Sequence, residues 1–489
     1  MSEALHHRFL AQTHFQQPDD VYQLAPFRMT RIPGVDHSCL IVNEIGEYHF
    51  LSEAEFQRFN EGKLGQSEDV YRDLRSKHFL LDSTAPVFRP FAAAQYRARK
   101  SFLFEGPSLH LFVVTLRCDH SCGYCQVSRR SPDAHLFDMS EATARLAVDR
   151  LFEAPSTDLK VEFQGGESSL AFDRIRSIVE DIESRNVAAG RRIEFVMATT
   201  LADITREQLE FCRAHKVHLS TSIDGPAELH NRNRPRPGRD SFQKTVAGIQ
   251  LAREVLGRDS VSALLTVTRA SLAHPEAIID TYVELGFPSI FIRPLSHHGF
   301  ARRTANRLGY STAEFLAFYD RALAHLFKIN LSGHYLEESY ITLLFEHAFT
   351  PFSTGYVDLR SPTGSGLGVL VYNYDGYVYP SDEARMLVET GDTKFRLGSV
   401  AQPYKELMNS PMIKQLLEHG VAERLPVCQD CAFVPYCGAD PINHWAHHRT
   451  LSGPAPETNF CERQMHLFRY LFRVFHGQHE EIMRVLQSW

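Results

Sequence analysis

Two groups of cysteines are the residues of this chain whose type and spacing point most clearly to chemistry. The first group, Cys118, Cys122 and Cys125, has the spacing C-x3-C-x2-C. Cysteine thiolates hold iron–sulfur clusters, and a four-iron cluster normally takes four of them. Three closely spaced thiolates would leave one iron open to a small molecule. Zinc is the alternative, but this uneven triplet fits poorly with structural zinc sites, which usually pair two short cysteine knuckles.

The second group lies near the C-terminal end and consists of Cys428, Cys431, Cys437 and Cys461. Four cysteines can close a [4Fe–4S] cluster with no open iron. Zinc is the runner-up, because spacing alone does not exclude it. The nine cysteines of the chain are a poor disulfide framework, since their number is odd and most lie in these two tight groups. We expect the two cysteines outside the groups, Cys39 and Cys212, to be buried small apolar residues.

Six short apolar segments, with helical patterns between them, are expected to position the first cysteine group. The predicted strands are Leu109–Leu116, Lys160–Gly165, Arg192–Thr199, Val217–Ile223, Val261–Thr268 and Ser289–Leu295. The predicted helices are Ser140–Glu153, Ala171–Ala188, Arg206–His215, Phe242–Leu256, Pro275–Leu285 and Thr312–Phe327. Successive strand–helix units predict a parallel sheet with right-handed crossovers, and six are too few for a complete eight-stranded barrel. We therefore predict an α/β fold, a partial (β/α)6 TIM-like barrel with its chemistry at the C-terminal strand ends.

The pattern predicts three domains. Residues 1–100 form a small hairpin-plus-helices module, with two strands around Glu44–Gly46 and a linker over 85–107 marked by prolines. Residues 101–330 form the barrel. Residues 331–489 contain a Gly-rich stretch, a hairpin in VLVYNYDGYVYP, the second cysteine group and a final amphipathic helix over about Arg463–Gln487.

Composition narrows the classes of partner. The formal net charge of −7 argues against a nucleic-acid protein that relies on global positive charge. The first residues are polar and contain no apolar stretch of signal-peptide length. The apolar run Leu109–Leu116 is too short to cross a membrane. We expect a soluble, cytoplasmic protein that binds neither nucleic acid nor a membrane.

The first cysteine group, with Tyr124 just before its third cysteine, resembles the signature of the radical S-adenosylmethionine (SAM) enzymes. The second predicted strand ends in FQGGES, and Gly165, Gly166 and Glu167 resemble the family's GGE motif, which binds the methionine amino group. The physics agrees, because glycines let the backbone approach a ligand and a carboxylate can pair with an ammonium group. The resemblance implies S-adenosyl-L-methionine as cofactor and a SAM-binding [4Fe–4S] cluster on Cys118, Cys122 and Cys125.

Further SAM contacts are implied at the ends of later strands. The fourth strand ends in STSIDGPAELHNRNRPRPG, which resembles the sulfatase-maturase branch of the family. Ser222 then matches a ribose contact and Arg234 a contact to the SAM carboxylate. Asp224 matches the family motif in residue type, but capping of the Asp-Gly-Pro turn explains it equally well. Thr200 and Leu295 lie at the corresponding ends of other strands, and the resemblance implies SAM contacts at these positions as well.

The second cysteine group resembles the SPASM extension of peptide-modifying radical SAM enzymes, which normally carries two auxiliary clusters. This chain has serines where thiols would be expected, at Ser361, Ser365 and Ser381. Serine is a poor iron ligand, so we predict one auxiliary [4Fe–4S] cluster, on Cys428, Cys431, Cys437 and Cys461. Asp382 is in the place of a carboxylate that acts as base in sulfatase-type maturases. The alternative is an ordinary acid at a hairpin end, paired with Arg385.

Segments near both ends of the chain resemble the His-Xaa-Ser system radical SAM maturases (the HxsB type). These are LAPFRMTRIPG…CLIVNEIGEYHFLSEAEFQRF and YNYDGYVYPSDEARML. The resemblance implies a ribosomal precursor peptide of His-Xaa-Ser repeat type, a second radical SAM protein as partner, and a flavodoxin or ferredoxin as electron donor. The N-terminal module resembles winged elements that bind a leader peptide as an added strand.

The leading hypothesis is a radical SAM enzyme that crosslinks a ribosomally made peptide after hydrogen abstraction by a 5′-deoxyadenosyl radical. Within the same cofactor class, the alternative is oxidation or epimerisation of a single residue. A zinc-stabilised binding protein without catalysis is the alternative from another class.

We expect replacement of Cys118, Cys122 or Cys125 by Ala to abolish SAM cleavage and to lower the iron content by about half, because each cluster takes its own cysteine set. Iron analysis and 5′-deoxyadenosine measurement on each variant test this. Undiminished 5′-deoxyadenosine formation would remove these cysteines from the SAM site.

Overall fold

A twisted sheet of ten strands lies at the centre of the part of the chain that the computed structural model describes, residues 22–82, 88–296, 298–350, 354–453, 458–477 and 479–489. The strands β6 to β15 form this sheet, and β1 to β5 belong to two smaller sheets. In chain order, the strands of the described residues are β1 (Gln23–Leu24), β2 (Phe27–Arg31), β3 (Cys39–Asn43), β4 (Tyr48–Leu51), β5 (Leu80–Leu81), β6 (Leu109–Thr115), β7 (Asp158–Gly165), β8 (Arg192–Ala198), β9 (Val217–Ser222), β10 (Val261–Thr266), β11 (Ser289–Arg293), β12 (Glu337–Glu338), β13 (Val369–Tyr372), β14 (Tyr377–Tyr379) and β15 (Gly398–Ser399).

Helices cover the sheet and connect its strands. They are α1 (Glu53–Asn60), α2 (Asp69–Ser76), α3 (Phe88–Arg99), α4 (Phe102–Glu105), α5 (Glu141–Glu153), α6 (Phe172–Ala189), α7 (Arg206–Ala214), α8 (Ala227–Asn233), α9 (Ser241–Leu256), α10 (Pro275–Glu284), α11 (Phe300–Leu308), α12 (Thr312–Leu331), α13 (Ser339–Phe349), α14 (Asp382–Val388), α15 (Tyr404–Met408), α16 (Pro411–His419), α17 (Pro441–His448), α18 (Asn459–His476) and α19 (Glu480–Ser488). No helix within the described residues is both long and apolar enough to cross a membrane.

The six predicted barrel strands are confirmed as β6 to β11, which pair in parallel and in chain order. The predicted strands Arg192–Thr199 and Ser289–Leu295 run past the observed ends of β8 and β11. Apolar pattern alone does not show where the ladder stops, because the residues that follow are also partly buried. These extra residues lie instead in the loops at the C-terminal edge, where an α/β barrel carries its chemistry.

The sheet continues beyond the barrel on both sides. β13 pairs in parallel with β6, with Val369 opposite Leu109, and β14 and β15 follow as antiparallel strands. At the other edge, the two-residue strand β12 pairs with β11. The predicted hairpin is therefore β13–β14, and its pairing with β6 brings the residues after β14 beside the loop that carries the first cysteine group.

The N-terminal module contains a three-stranded antiparallel sheet of β2, β3 and β4, with α1 and α2 beside it. The predicted pair of strands around Glu44–Gly46 is β3–β4, whereas the polar strand β2 was not predicted. The segment predicted as a linker contains α3 and α4. Pro90 lies in the first turn of α3, where a proline removes no hydrogen bond from the helix. Pro86 lies outside the described residues.

The module packs on the C-terminal part of the chain through aromatic side chains. Tyr48 and Phe50 contact the ring of Phe472 on α18, with ring centroids 5.2 and 6.3 Å apart, and Phe50 stacks on His476 at 3.9 Å. The predicted final helix Arg463–Gln487 is two helices, because α18 ends at His476 with Gly477 as its C-cap, and α19 begins at Glu480.

We expect Phe472→Ala to lower the free energy of unfolding by about 3–5 kcal/mol, because Phe472 is fully buried between the module and the C-terminal rings. Phe475→Ala is the comparison, since Phe475 lies on the same helix and also contacts Tyr48, with ring centroids 5.8 Å apart, but is 36% exposed. Urea unfolding of both variants gives the comparison. Equal losses would show that Phe472 is not the residue that joins the two parts.

Candidate functional site

The loop after β6 carries the first cysteine group into a cleft at the C-terminal ends of the barrel strands. Cys118, Cys122 and Cys125 all line this cleft, which has a volume of about 210 Å³. Backbone hydrogen bonds hold the loop, including Cys118 N to Arg130 O at 3.1 Å and Cys125 N to Cys122 O at 3.2 Å. Burial raises the pKa of Cys122 to about 12. A buried thiolate needs a nearby positive charge, so the donor set fits the iron ions of a cluster.

Two glycines at the end of β7 let the backbone of this strand meet the cysteine loop. A Cβ on Gly165 would lie 2.5 Å from the carbonyl oxygen of Thr115, and one on Gly166 would overlap the carbonyl of Arg117. The amide of Gly166 donates instead to Thr115 O at 2.9 Å. Both glycines line the cleft, as predicted, because no side chain separates the two strands.

Glu167 follows these glycines but turns behind the cleft. Its carboxylate accepts hydrogen bonds from the hydroxyl of Thr199 at 2.5 Å and from the amide of Thr200 at 2.7 Å. It also caps the next helical turn through the amide of Ser169 at 3.1 Å. The side chain is 3% exposed and does not line the cleft, whereas Thr200 does. In this structure Glu167 therefore positions Thr200, and its predicted direct contact with the SAM amine remains a prediction.

Tyr124, Asp224 and Arg234 form a buried cluster at one wall of the cleft. The Tyr124 hydroxyl donates to Asp224 Oδ2 at 2.7 Å, and Arg234 Nε donates to Asp224 Oδ1 at 3.2 Å. The Arg234 guanidinium lies 5.4 Å from the centre of the Tyr124 ring. Arg234 and Tyr124 line the cleft and Asp224 is fully buried. Asp224 is thus the counter-ion of Arg234, a role that was not predicted from the sequence.

A chain of hydrogen bonds behind this wall was not predicted from the sequence. The Asp224 amide donates to His230 Nδ1 at 3.3 Å, and both His230 Nε2 and His120 Nε2 contact Ser241 Oγ, at 3.0 and 2.9 Å. His120 Nδ1 donates to Asp119 Oδ1 at 2.8 Å. Burial lowers the pKa of His230 to about 3. Both ring nitrogens of His120 make hydrogen bonds, so this chain of hydrogen bonds connects the cysteine loop to the turn that contains Asp224.

The remaining predicted SAM contacts divide between two neighbouring cavities. Ser222 lines the cleft at the end of β9. Leu295 lines an adjacent cavity of about 140 Å³, which shares Gln126, Thr266 and Arg293 with the cleft. Leu295 also packs against Tyr124, and its amide donates to the hydroxyl of Tyr310 at 2.6 Å.

Asp382 lies where the C-terminal hairpin meets the barrel. It begins α14 and lines the same cleft as the cysteines. Arg385 Nη2 donates to Asp382 Oδ1 at 3.2 Å, the pairing expected from the alternative interpretation of Asp382 as an acid at a hairpin end. Burial raises the pKa of Asp382, and Arg385 opposes this shift. Glu162 and Arg293 line the cleft beside it and were not predicted. Their only sequence signal is a charged residue within or at the end of an apolar barrel strand.

Three acids lie in the adjacent cavity, Asp358, Glu383 and Asp440, together with Arg293 and Arg463. Burial and the neighbouring Glu383 raise the pKa of Asp358 to about 6. Burial and the same neighbour raise the pKa of Asp440 to about 7. The cavity thus lies between the cleft and the region of the second cysteine group, because it shares lining residues with the cavity at each site.

The second cysteine group converges around a further cavity, which Cys428, Cys437 and Cys461 line. Cys431 does not line this cavity; its sulfur atom contacts the sulfur atom of Met465 at 3.8 Å. Burial raises the pKa of Cys428 to about 12, and the neighbouring thiols Cys461 and Cys431 add to the shift. All four thiols are therefore close enough to interact.

The serines that stand in place of further cysteines have structural partners. Ser381 caps α14 by accepting from the Ala384 amide at 3.2 Å. Ser361 Oγ accepts from the Ala422 amide at 3.0 Å and donates to Glu423. Ser365 is buried. These contacts are those of ordinary helix-capping and loop serines.

Comparisons with known proteins agree with this geometry. Residues 112–288 match the family model of the Radical SAM superfamily. An uncharacterized protein of Methanothermobacter thermautotrophicus is 28% identical over 181 residues, 37% of this chain and 65% of that protein. A cysteine-type anaerobic sulfatase-maturating enzyme of Clostridium perfringens is 23% identical over 187 residues, 37% of this chain and 50% of the enzyme. The matched region thus spans about half to two thirds of these relatives.

Two solved structures share the fold over most of the chain. Native anSMEcpe with bound AdoMet has a TM-score of 0.65 and 18% identity, and the match covers 78% of this chain and 100% of that one. Streptococcus suis SuiB bound to the precursor peptide SuiA has a TM-score of 0.52 and 14% identity, and the match covers 88% and 98%. At these identities the likeness is one of fold.

We expect Asp224→Asn to weaken SAM binding about 10-fold or more, because it removes the charge that holds Arg234 and Tyr124 in place. Asp203→Asn is the control, since Asp203 pairs with Arg236 but its side chain is 54% exposed. Calorimetric titration of both reconstituted variants with SAM gives the affinities. An unchanged affinity in Asp224→Asn would assign Asp224 to the turn alone.

Proposed function

We propose, from the match of residues 112–288 to the Radical SAM superfamily, that the protein modifies a ribosomally made peptide by radical SAM chemistry and forms a crosslink within it. One observation carries the proposal. The cleft lined by three cysteines shares Gln126, Thr266 and Arg293 with a second cavity. That cavity in turn shares Asp440, Asn443 and Phe460 with the cavity of the other cysteine group. A peptide residue in the second cavity would lie between the two sites.

The residues of the cleft fit SAM by charge and shape. The Arg234 guanidinium is suited to the methionine carboxylate, and Asp224 prevents it from turning away. Gly165 and Gly166 leave room for the methionine end at the backbone, and Ser222 and Thr200 supply hydroxyls for the ribose side. When bound, SAM and a [4Fe–4S] cluster on the first cysteine group supply a 5′-deoxyadenosyl radical that abstracts a hydrogen from the substrate.

The spacing of the second cysteine group favours an iron–sulfur cluster over zinc. Within the described residues, the one set of three Cys, His, Asp or Glu ligand atoms that lie within 4.8 Å of one another is Cys118, Asp119 and His120. The four C-terminal thiols are thus spread more widely than the ~3.8 Å that a tetrahedral zinc with Zn–S bonds of ~2.3 Å would require. A four-iron cluster binds one thiolate at each iron, so it suits this spread and would supply electron transfer when bound.

Asp382 is the proposed proton acceptor. Crosslinking after hydrogen abstraction needs the loss of a proton and one electron from the substrate. Asp382 faces the cleft with an oxygen that Arg385 orients, so it would take the proton, and a cluster held by the second cysteine group would take the electron. A positioned carboxylate typically contributes ~10²–10⁴ in rate. Arg293 and Glu162, in the same wall, would bind polar groups of the peptide.

The partners follow from the same proposal. The peptide would be of His-Xaa-Ser repeat type, as the HxsB-type resemblance implies, with a second radical SAM protein acting on it. The N-terminal module would bind its leader as a strand added to the sheet of β2, β3 and β4. A flavodoxin or ferredoxin would supply electrons.

A second candidate, oxidation of a single residue, is favoured by the similarity to the cysteine-type anaerobic sulfatase-maturating enzyme. Co-expression with candidate His-Xaa-Ser peptides, followed by tandem mass spectrometry, separates the two. A crosslink removes two hydrogens and suppresses fragments between the joined residues, whereas oxidation leaves fragmentation complete and creates a carbonyl that a hydrazine reagent labels. A colourless protein that binds zinc but no iron would reject both.

We expect Asp382→Asn to keep both clusters and SAM cleavage but to slow crosslink formation about 10²-fold or more. In the wild type, crosslinking should rise with pH through the raised pKa of Asp382, because only the ionised carboxylate accepts a proton. The asparagine variant should lose this pH dependence.

Asp375→Asn is the control, since Asp375 is an exposed acid in the turn of the same hairpin. Iron content, deoxyadenosine and crosslinked peptide are measured on each variant. Low iron and poor stability in Asp382→Asn would assign a structural role through Arg385. Normal crosslinking would remove Asp382 from the mechanism.

A further inference from the structure

An arginine-lined cavity of about 470 Å³ lies on the outer side of the first cysteine loop. Its arginines are Arg232, Arg269 and Arg307, and Gly123 and Tyr124 also line it. We infer that this cavity, called here the arginine cavity, is the docking surface for a small acidic protein of flavodoxin type that delivers single electrons. The inference rests on the proposed function, since it assigns the electron donor of that site.

Each arginine comes from a different segment of the chain, and hydrogen bonds link these segments to the cysteine loop or to one another. Arg232 lies on α8, and the residues after this helix contact the loop because the Ser121 amide donates to Pro235 O at 2.8 Å. Arg307 lies on α11, whose Thr304 hydroxyl donates to Gly123 O at 2.7 Å. The Arg269 amide donates to Leu308 O at 2.9 Å. The three segments that carry the arginines are thus linked to one another and to the cysteine loop, and all three arginines line one cavity.

The charge of these arginines is largely uncompensated. All three are exposed. Arg269 has Glu314 at 3.8 Å, whereas within the described residues neither Arg232 nor Arg307 has a carboxylate oxygen within 4.0 Å. The whole chain carries a formal charge of −7, so its net charge alone would repel an acidic partner. A local positive site on such a protein selects the face that an acidic partner meets, through electrostatic steering.

The cysteine loop comes to the surface at this cavity. Gly123 lies between Cys122 and Cys125, and a Cβ on it would be 3.3 Å from Arg307 Nη2 and 3.1 Å from the Leu308 side chain. A residue without a side chain therefore separates the cavity from the cysteine group. The three cysteines line the cleft and not the arginine cavity, and Tyr124 lines both. A carrier bound in the arginine cavity would therefore leave the cleft free for SAM and the peptide.

The proposed transfer moves one electron and no proton or other group. One electron leaves the flavin of the carrier, which passes from hydroquinone to semiquinone, and reduces the cluster on the first cysteine group by one. No bond of this chain forms or breaks. The arginines act only on docking, by pairing with carboxylates at the rim of the carrier's flavin.

The test uses the reconstituted enzyme and a flavodoxin as probe. The variant is Arg232→Glu with Arg307→Glu, and the control is Arg213→Glu with Arg484→Glu. Arg213 and Arg484 are exposed on α7 and α19, and neither lines the arginine cavity. Binding of oxidised flavodoxin is measured by calorimetry between low and high salt. SAM cleavage is then measured with reduced flavodoxin and, separately, with dithionite.

We expect the cavity variant to bind flavodoxin at least ~10-fold more weakly at low salt and to lose most of the salt dependence, while the control keeps both. Flavodoxin-driven SAM cleavage should fall in parallel, and dithionite-driven cleavage should stay at the wild-type rate. Equal binding by the cavity variant and the wild type would overturn the inference. Absence of dithionite-driven cleavage in the wild type would instead refute the proposed function.

Discussion

The close contact between the backbones at the ends of β6 and β7 is the constraint on which the site depends. Gly165 and Gly166 lie against the carbonyl groups of Thr115 and Arg117, at a separation that a Cβ would not allow. Parallel pairing of these strands aligns their C-terminal ends, so the cysteine loop and the glycines meet at one edge. The cleft forms because β6 and β7 end at the same edge of the sheet and β7 ends in two glycines, Gly165 and Gly166.

Buried charges at this edge are arranged in pairs and chains. Arg234 has Asp224 as its counter-ion, and Asp224 in turn begins the hydrogen-bond chain through His230 and Ser241 to His120. Removing one member of a buried pair leaves an uncompensated charge, so such groups are held rigidly. This rigidity keeps the wall of the cleft and the cysteine loop in a constant relation before any cofactor binds.

The C-terminal part contributes to the cleft because its hairpin extends the barrel sheet. β13 adds to the free edge of β6, and the chain then returns through β14 to Asp382. The same addition places Glu383 and Arg293 in one cavity, which leads toward the second cysteine group. The cysteine loop thus has three distinct surroundings: the cleft, the path to the second cysteine group, and the arginine cavity outside.

The sequence by itself determined the barrel strands, both cysteine groups, the two cleft glycines and a minority of the polar residues that line the cleft. These features are local, since apolar periodicity and motif spacing are properties of neighbouring residues along the chain. Only the tertiary structure decided that β13 pairs with β6, that Glu167 turns behind the cleft toward Thr199 and Thr200, and that Asp224 is the partner of Arg234. It also brought Glu162 and Arg293 to Asp382. Such contacts join residues far apart in the chain, and their geometry depends on strand order and on the burial of charge, neither of which a local pattern encodes.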